Sequence, residues 1–185
     1  MSWDEAKFNR FVEATLRMAR GELPGYGYPH VVFPYAPEDE MRCIAEIRSM
    51  PARLSQSGFR SKLLPVASLV TRANIRYARR GLQEAEDYQR LEADLADPHD
   101  GVVAKTARLC AGEIGAAGPD DTVIILCRLG ALYPFGHVSG LLDAIYRAGI
   151  RNTLAVAYPG AAEGTQLRFL GLLLPTGGYR GHVVT

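Results

Sequence analysis

The sequence predicts an α/β domain with a mostly parallel, doubly wound (Rossmann-like) sheet of four to five strands flanked by helices. The main indication is one βαβ unit in residues 121–164. There, an apolar run over 122–128 is followed by a loop with glycine and proline, a helical pattern over 138–148 and a second apolar run over 153–159. Uninterrupted apolar strands are typical of parallel sheets that are covered on both faces.

Length and composition predict one domain that spans residues 1–185. Hydrophobic residues make up 48% of the chain and charged residues 22%, which is ordinary usage for a globular protein. A chain of this length buries one core but not two full-sized ones. The formal charge of +1 excludes a global attraction to nucleic acid or to an anionic membrane.

The cysteines and the beginning of the chain indicate the cytoplasm. Cys43, Cys110 and Cys127 are far apart and form no CxxC motif, so we expect reduced, buried thiols. The first residues contain no basic region followed by an apolar one, and no apolar run approaches the length of a membrane span. We therefore expect a cytoplasmic protein without membrane contact, metal or cofactor.

The first third of the chain predicts an opening helix followed by another βαβ unit. Residues 1–21 have apolar side chains at helical spacing, with Ser2 as a candidate N-cap and Gly21 as a stop. Two runs rich in β-branched or apolar residues, at 30–36 and 61–68, predict strands with a helical region between them.

Two further segments complete the predicted fold. A helix over 102–114 follows a turn at 97–101, whose Asp and His residues match no metal-binding spacing. A fifth strand segment near 179–184 would lie at an edge of the sheet. We expect the strand order 2-1-3-4 for the first four strands.

Residues 71–100 predict a helical insertion in which charges are segregated. Basic residues occupy its beginning, and acidic residues dominate after Gly81. Arg72, Arg76 and Arg79 fall on one side of a helix, and Arg80 follows them. This stripe would suit the phosphates of DNA or an acidic partner. The alternative is a solvated face that the following acidic segment neutralises.

Two glycine-bearing loops follow the apolar strands of the central unit, at 130–136 and 159–164. Ligands of open α/β sheets bind beyond the carboxyl ends of strands, so these loops predict where a ligand would bind. Neither loop matches GxxxxGK[ST] or GxGxxG. The candidate residues for a small-ligand or nucleotide-binding enzyme are Gly130, His137, Gly160, Glu163, Gly164 and Arg168.

A complete catalytic constellation is missing from the sequence. In the segment from Gly136 to Gly140, Ser139 is the fourth residue, whereas a nucleophile elbow requires serine as the third residue of G-x-S-x-G. No carboxylates are paired for acid–base chemistry. An ion pair of Glu163 with Arg168 or Arg180 is favoured over a substrate clamp.

Two aromatic residues in the first glycine loop are candidates for partner binding. Tyr133 and Phe135 flank Pro134, and rigid aromatic rings of this kind anchor protein interfaces. Packing of both rings into the core is the alternative.

Several motifs in the second half resemble the BrxB family. The pattern Tyr158-Pro-Gly160, followed by Glu163-Gly164 and the segment 167–171, resembles the family's closing motif. The motif segments that add to the resemblance are Gly130 with 133–135, 139–142, 178–181, and Tyr35 with 37–40. Two positions depart from the family pattern: His137 stands where an arginine-like residue is expected, and Gly181 replaces an alanine.

The resemblance implies a role in bacteriophage exclusion (BREX), a phage-defence system. BrxB-like proteins are small accessory components encoded beside PglZ-type proteins, a DNA methyltransferase and a large ATPase. The resemblance therefore implies a non-enzymatic module that binds a PglZ-type partner and other BREX subunits, with no catalytic residues to carry over. Direct contact with nucleic acid and a homodimer stay open at this point.

Overall fold

A computed structural model of the chain describes most of its residues. Predictions that involve Ser2, Gly164, Tyr179 or Arg180 lie outside the described residues, as does most of the acidic segment after Gly81. The described residues are 3–24, 27–81, 94–95, 97, 99–118, 121–163, 166–172 and 181–185, with the side chains of 76–81 excepted.

The described elements alternate between helices and strands, as the sequence predicts. The strands are β1 (His30–Tyr35), β2 (Ser61–Pro65), β3 (Val123–Cys127), β4 (Leu154–Glu163), β5 (Gln166–Phe169) and β6 (His182–Val183). The helices are α1 (Glu5–Ala19), α2 (Glu40–Ile47), α3 (Met50–Gln56), α4 (Val66–Gly81), α5 (Val102–Gly115) and α6 (Val138–Arg147), with 3-10 turns at Pro37–Asp39 and Leu129–Leu132.

Five of these strands form a parallel sheet in the order β2-β3-β4-β1-β6. The predicted order 2-1-3-4 is therefore wrong. β4 inserts between β3 and β1, with Leu154 paired to both Ile124 and His30. The predicted edge segment is confirmed over its last residues, because β6 pairs with β1 at the edge.

The two faces of the sheet are buried by different sets of helices, which confirms the doubly wound α/β class. Even-numbered strand residues such as Val32, Ile124 and Val156 pack against α4, α5 and α6. Odd-numbered residues such as Phe33 and Ile125 pack against α1, α2 and α3. Because successive side chains of a strand point to opposite faces, the continuous apolar runs of the sequence supply both cores.

The opening helix differs from its prediction in its N-cap. Asp4 occupies that position, and its carboxylate accepts a hydrogen bond from the backbone N–H of Lys7 at 2.8 Å. A carboxylate suits this end because it satisfies a free N–H and faces the positive end of the helix dipole. Gly21, at φ 73°, follows the helix as predicted. α1 buries Phe8 and Phe11 against Phe33 of β1.

The region predicted to be a charged insertion begins inside the core. α4 starts at Val66, directly after β2, and buries Leu69, Val70 and Ala73. It thus forms part of the crossover from β2 to β3. The predicted turn before α5 is present: the carboxylate of Asp97 accepts hydrogen bonds from the backbone N–H groups of His99 and Asp100.

Candidate functional site

The carboxyl ends of β1, β3 and β4 form the region where the sequence predicts a ligand. At the end of β3 the chain turns sharply, because Arg128 adopts a left-handed conformation at φ 58° and ψ 40°. That conformation costs a residue other than glycine about 1 kcal/mol. Leu129 and Leu132 of the following 3-10 turn are buried, and the peptide bond between Tyr133 and Pro134 is cis.

The first predicted ligand loop packs closely against neighbouring elements. A Cβ atom at Gly136 would lie 2.6 Å from Cγ2 of Val103 in α5, which explains why glycine is needed there. Gly130 lies in ordinary van der Waals contact with the side chains of Leu170 and Pro159. The loop is therefore pinned on both sides by apolar contacts.

The second predicted ligand loop is a β-hairpin, so the prediction of a loop there is wrong. β4 continues to Glu163, and β5 returns antiparallel beside it. Gly160 is required by this pairing. Its φ is 156°, and a Cβ atom there would lie 2.1 Å from the carbonyl oxygen of Arg168. Leu167 and Phe169 of the hairpin are buried in the core that also contains Leu129.

The charged candidates of the two predicted loops do not form one cluster. The guanidinium of Arg168 donates to the carboxylate of Glu163 at 3.1 Å within the hairpin, which confirms the predicted structural ion pair. His137 precedes α6 as its N-cap residue, without a capping hydrogen bond from its side chain. The described contacts do not connect His137 with Glu163 or Arg168.

The two aromatic candidates differ in exposure. Tyr133 is 44% exposed, whereas Phe135 is partly buried against the core. Both alternatives of the sequence analysis are thus represented: Phe135 packs inward and Tyr133 presents its ring to solvent. Because contacts with α5 and with the segment around β4 and β5 fix this loop, the exposed ring is held by a rigid support.

A polar cluster on the α2 side of the same edge was not identified from the sequence. The hydroxyl of Tyr35, at the end of β1, donates to the carboxylate of Glu40 at the start of α2. Burial and this hydrogen bond raise the pKa of Tyr35. Burial and the Glu40 carboxylate raise the pKa of Cys43, and they raise that of Cys127 to about 11. These thiols stay protonated at neutral pH. In the sequence, Cys127 at the end of an apolar run was the signal that could have indicated this cluster.

Within the predicted arginine stripe, the side chain of Arg72 is described, and it forms an ion pair. Arg72 pairs with the Glu113 carboxylate of α5 at 3.0 Å, and Lys62 of β2 pairs with the same carboxylate at 3.0 Å. Both cations lower the pKa of Glu113. The partner that the described residues give Arg72 is therefore in α5, and most of the acidic segment proposed from the sequence lies outside the described residues. The side chains of Arg76, Arg79 and Arg80 lie outside the described residues.

A model of the protein family described as "BREX protein BrxB" matches residues 76–183, which is more than half of the chain. The chain belongs to the BrxB family. It is accordingly a component of a BREX phage-defence system. The matched BrxB region contains the loop that follows β3 (residues 128–136, hereafter the β3 loop), α6 and the β4–β5 hairpin, whereas α1, β1, α2 and α3 precede it. No curated protein and no solved structure matches the chain.

The opposite, amino edge of this BrxB domain carries an open groove of about 470 Å³. Arg60 and Lys62 line it, but both cations are already paired, with Asp121 at 2.9 Å and with Glu113. Among the described residues, no three His, Cys, Asp or Glu side chains converge in a way that could hold a metal ion. None of the described helices is both long and apolar enough to span a membrane.

Proposed function

We propose that this protein is a non-catalytic subunit that binds a PglZ-type protein of its BREX system. The observation that carries the proposal is that the protein's own side chains occupy the sheet edge where open α/β enzymes bind ligands. The β4–β5 hairpin packs its buried Leu167 and Phe169 on one side of this edge. The Tyr35–Glu40 pair and the buried Cys43 occupy the other side.

The chemistry of the residues at this edge also favours a non-catalytic role. A cysteine nucleophile needs a lowered pKa, whereas burial raises the pKa of Cys43 and Cys127. Glu163 and Arg168 neutralise each other in the hairpin. The two thiols are thus protonated at neutral pH, and the charged side chains of the hairpin are paired with each other.

The β3 loop favours a binding role. Tyr133 is exposed on a segment that is pinned by Gly136 against α5 and by Gly130 against Leu170. A rigid, exposed tyrosine loses little conformational entropy on binding and buries a large area, which is why such residues dominate interface energetics.

The test is co-expression of the protein with the PglZ-type protein of the same BREX system, followed by affinity capture and size-exclusion chromatography. We expect a stoichiometric complex at moderate salt. We also expect Tyr133→Ala to weaken binding about tenfold or more, as for an interface hot spot, without lowering Tm. Absence of co-elution at every salt concentration would show that the proposal is wrong.

Ile75→Ser provides a matched control. Ile75 is 51% exposed, similar to Tyr133, but it lies on α4 and not on the β3 loop. We expect Ile75→Ser to bind the partner like the unmodified protein. Equal loss of binding in both variants would point to a non-specific hydrophobic association.

A further inference from the structure

Three basic side chains stand out because the structure gives them no ion pair or hydrogen bond. Among the lysines and arginines whose side chains are described, Arg48, Arg128 and Arg147 alone lack such a partner. All three are exposed. Arg48 directly follows α2, which contacts β3, and Arg128 directly follows β3, whereas Arg147 ends α6 at the opposite edge.

Cys127 connects the two neighbouring arginines. Arg128 follows it directly in the chain, and Arg48 follows α2, whose Cys43 shares the buried cluster of Cys127. Because α2 contacts β3, Arg48 and Arg128 both flank the region around Cys127, and both guanidiniums lower the pKa of its thiol against the effect of burial. Two unpaired positive charges therefore border the end of β3.

Two acids of α2 are engaged by other residues. Glu40 accepts the hydrogen bond of Tyr35, and Glu46 pairs with Arg42 at 3.0 Å. Glu38 and Asp39 lie on the 3-10 turn that precedes α2. The chain thus leaves Arg48 and Arg128 without an internal carboxylate, although acids are present on the same helix.

Arg128 also occupies a position that suits another residue better. Its left-handed conformation at φ 58° favours glycine or asparagine, and its side chain has no hydrogen bond or ion pair that would compensate. Strained residues of this kind concentrate at functional sites, where an outside interaction uses them.

Exposed apolar side chains accompany the two arginines. Met41 is 77% exposed on α2, seven residues before Arg48, and Tyr133 is 44% exposed in the loop that Arg128 begins. Arginine and tyrosine are enriched at interface hot spots, and methionine adapts its shape to a partner. We call Met41, Arg48, Arg128 and Tyr133 the arginine edge.

We propose that the arginine edge binds an acidic segment of a partner protein, with carboxylates on Arg48 and Arg128 and an apolar side chain against Met41 and Tyr133. The occupant is an acidic protein segment for two reasons. A guanidinium binds a carboxylate through two parallel hydrogen bonds. The exposed apolar side chains beside the arginines can pack against a peptide side chain, which a free anion does not offer. This inference rests on the proposed function, since it specifies which surface the PglZ-type partner contacts and by what chemistry.

The experiment compares four variants of the full chain, which are Arg48→Glu, Arg48→Lys, Arg128→Gly and Arg147→Glu, in binding to the purified PglZ-type partner by isothermal titration calorimetry. We expect Arg48→Glu to weaken binding about thirtyfold or more and Arg128→Gly about tenfold, in the range of interface hot spots. Arg147→Glu is the matched control, because it reverses the third unpaired charge at the other edge, and it should bind like the unmodified protein.

Thermal unfolding separates recognition from folding. Arg128→Gly relieves the strained conformation, so it should melt at or above the temperature of the unmodified protein while binding less. Arg48→Lys should keep part of the affinity because it retains the charge without the fork. A loss of binding together with a loss of folding in Arg128→Gly would contradict the proposal.

The outcomes distinguish this inference from the proposed function. If the unmodified protein does not bind the partner, both are wrong. If it binds and Arg48→Glu and Arg128→Gly bind within about twofold of it, the partner uses another surface and only the inference is wrong. If the two variants instead lose affinity for a short DNA duplex while partner binding is unchanged, the edge contacts nucleic acid and the inference is again wrong.

Discussion

The two edges of the parallel sheet differ in the pairing of their arginines: among the described residues Arg147 is unpaired at the amino edge, whereas Arg48 and Arg128 are unpaired at the carboxyl edge. At the amino edge, Arg60 pairs with Asp121, the amide of buried Asn152 donates to the carbonyl of Thr122 at 3.0 Å, and Arg151 donates to backbone carbonyls and lies over the ring of Tyr146. At the carboxyl edge, Arg48 and Arg128 face solvent without a partner.

This difference indicates that the two edges of the sheet have different roles. Polar groups that are satisfied internally hold strands and loops in register, whereas unsatisfied charges on a rigid support remain available to another molecule. The inner layer of the carboxyl edge, formed by the β4–β5 hairpin, is nevertheless part of the core, since Phe169 of this hairpin is only 1% exposed. The unpaired side chains of Arg48 and Arg128 lie outside this layer, at the surface.

Phe169→Ala tests the inner layer of the carboxyl edge and should have the largest effect on stability. The ring is fully buried and lies 5.7 Å from that of Tyr158, centroid to centroid. Truncation should lower the free energy of unfolding by about 3–5 kcal/mol, measured by urea denaturation with circular dichroism. Phe169→Leu, which keeps most of the volume, should cost much less. A cost below about 1 kcal/mol for the alanine variant would mean that the hairpin is separate from the core.

His30 tests the amino edge through pH. It is 3% exposed, and burial lowers its pKa from 6.5 to about 4. Between pH 6.5 and pH 4, His30 is therefore protonated in the unfolded chain but neutral in the folded chain. The contribution of this group to the free energy of unfolding is fully present above pH 6.5 and is lost as pH falls towards 4. Between pH 7.5 and pH 5 the free energy of unfolding should fall by about 2 kcal/mol from this group.

His30→Leu provides the control for the pH experiment. Without a titrating group at this position, the variant should lack this part of the decrease. Trp3, the single tryptophan of the chain, packs against Phe8 and Phe33, so its fluorescence reports unfolding. An equal pH dependence in both proteins would assign the decrease to other groups.

Asn152→Ala tests the hydrogen bonding of the amino edge. Asn152 is 3% exposed, and its loss removes the donor to the Thr122 carbonyl just before β3. Leaving a buried carbonyl without this donor should cost about 1–2 kcal/mol, measured by urea denaturation. Affinity for the partner should not change. Weaker binding at unchanged stability would extend the functional surface to the amino edge.

Arg60→Ala should have the smallest effect. The pair with Asp121 is exposed on both sides, at 61% and 70%, and exposed ion pairs contribute roughly 0–1 kcal/mol. Stability and partner affinity should both stay close to those of the unmodified protein. A clear loss of affinity here would contradict the contrast between the edges.

The sequence was sufficient to predict the α/β class and the cores, but not the strand order. The apolar runs that became β1, β3 and the first part of β4 are buried on both faces, so their pattern marks them directly, whereas β2 is fully buried only at Leu64. Which strands become neighbours depends on contacts between distant segments. The pairing of β1 with β4 joins His30 to Leu154, and nothing local specifies it.

The candidate site was predicted in part. Tyr133 and the ion pair of Glu163 with Arg168 follow from their sequence neighbourhood. The hairpin was missed because Gly160 resembles a loop residue, whereas its lack of a side chain permits close strand pairing. Arg48 and Arg128 were not distinguished from other arginines because only the folded chain shows which charges have partners.

The position of β1 in the sheet has a consequence for synthesis on the ribosome. Both of its neighbours, β4 and β6, come more than a hundred residues later in the chain. At roughly 5–20 residues per second, the apolar strand would wait on the order of ten seconds for its first neighbour. During that interval Val31 to Tyr35 form an exposed, aggregation-prone edge in the nascent chain, which gives chaperones a defined segment to shield.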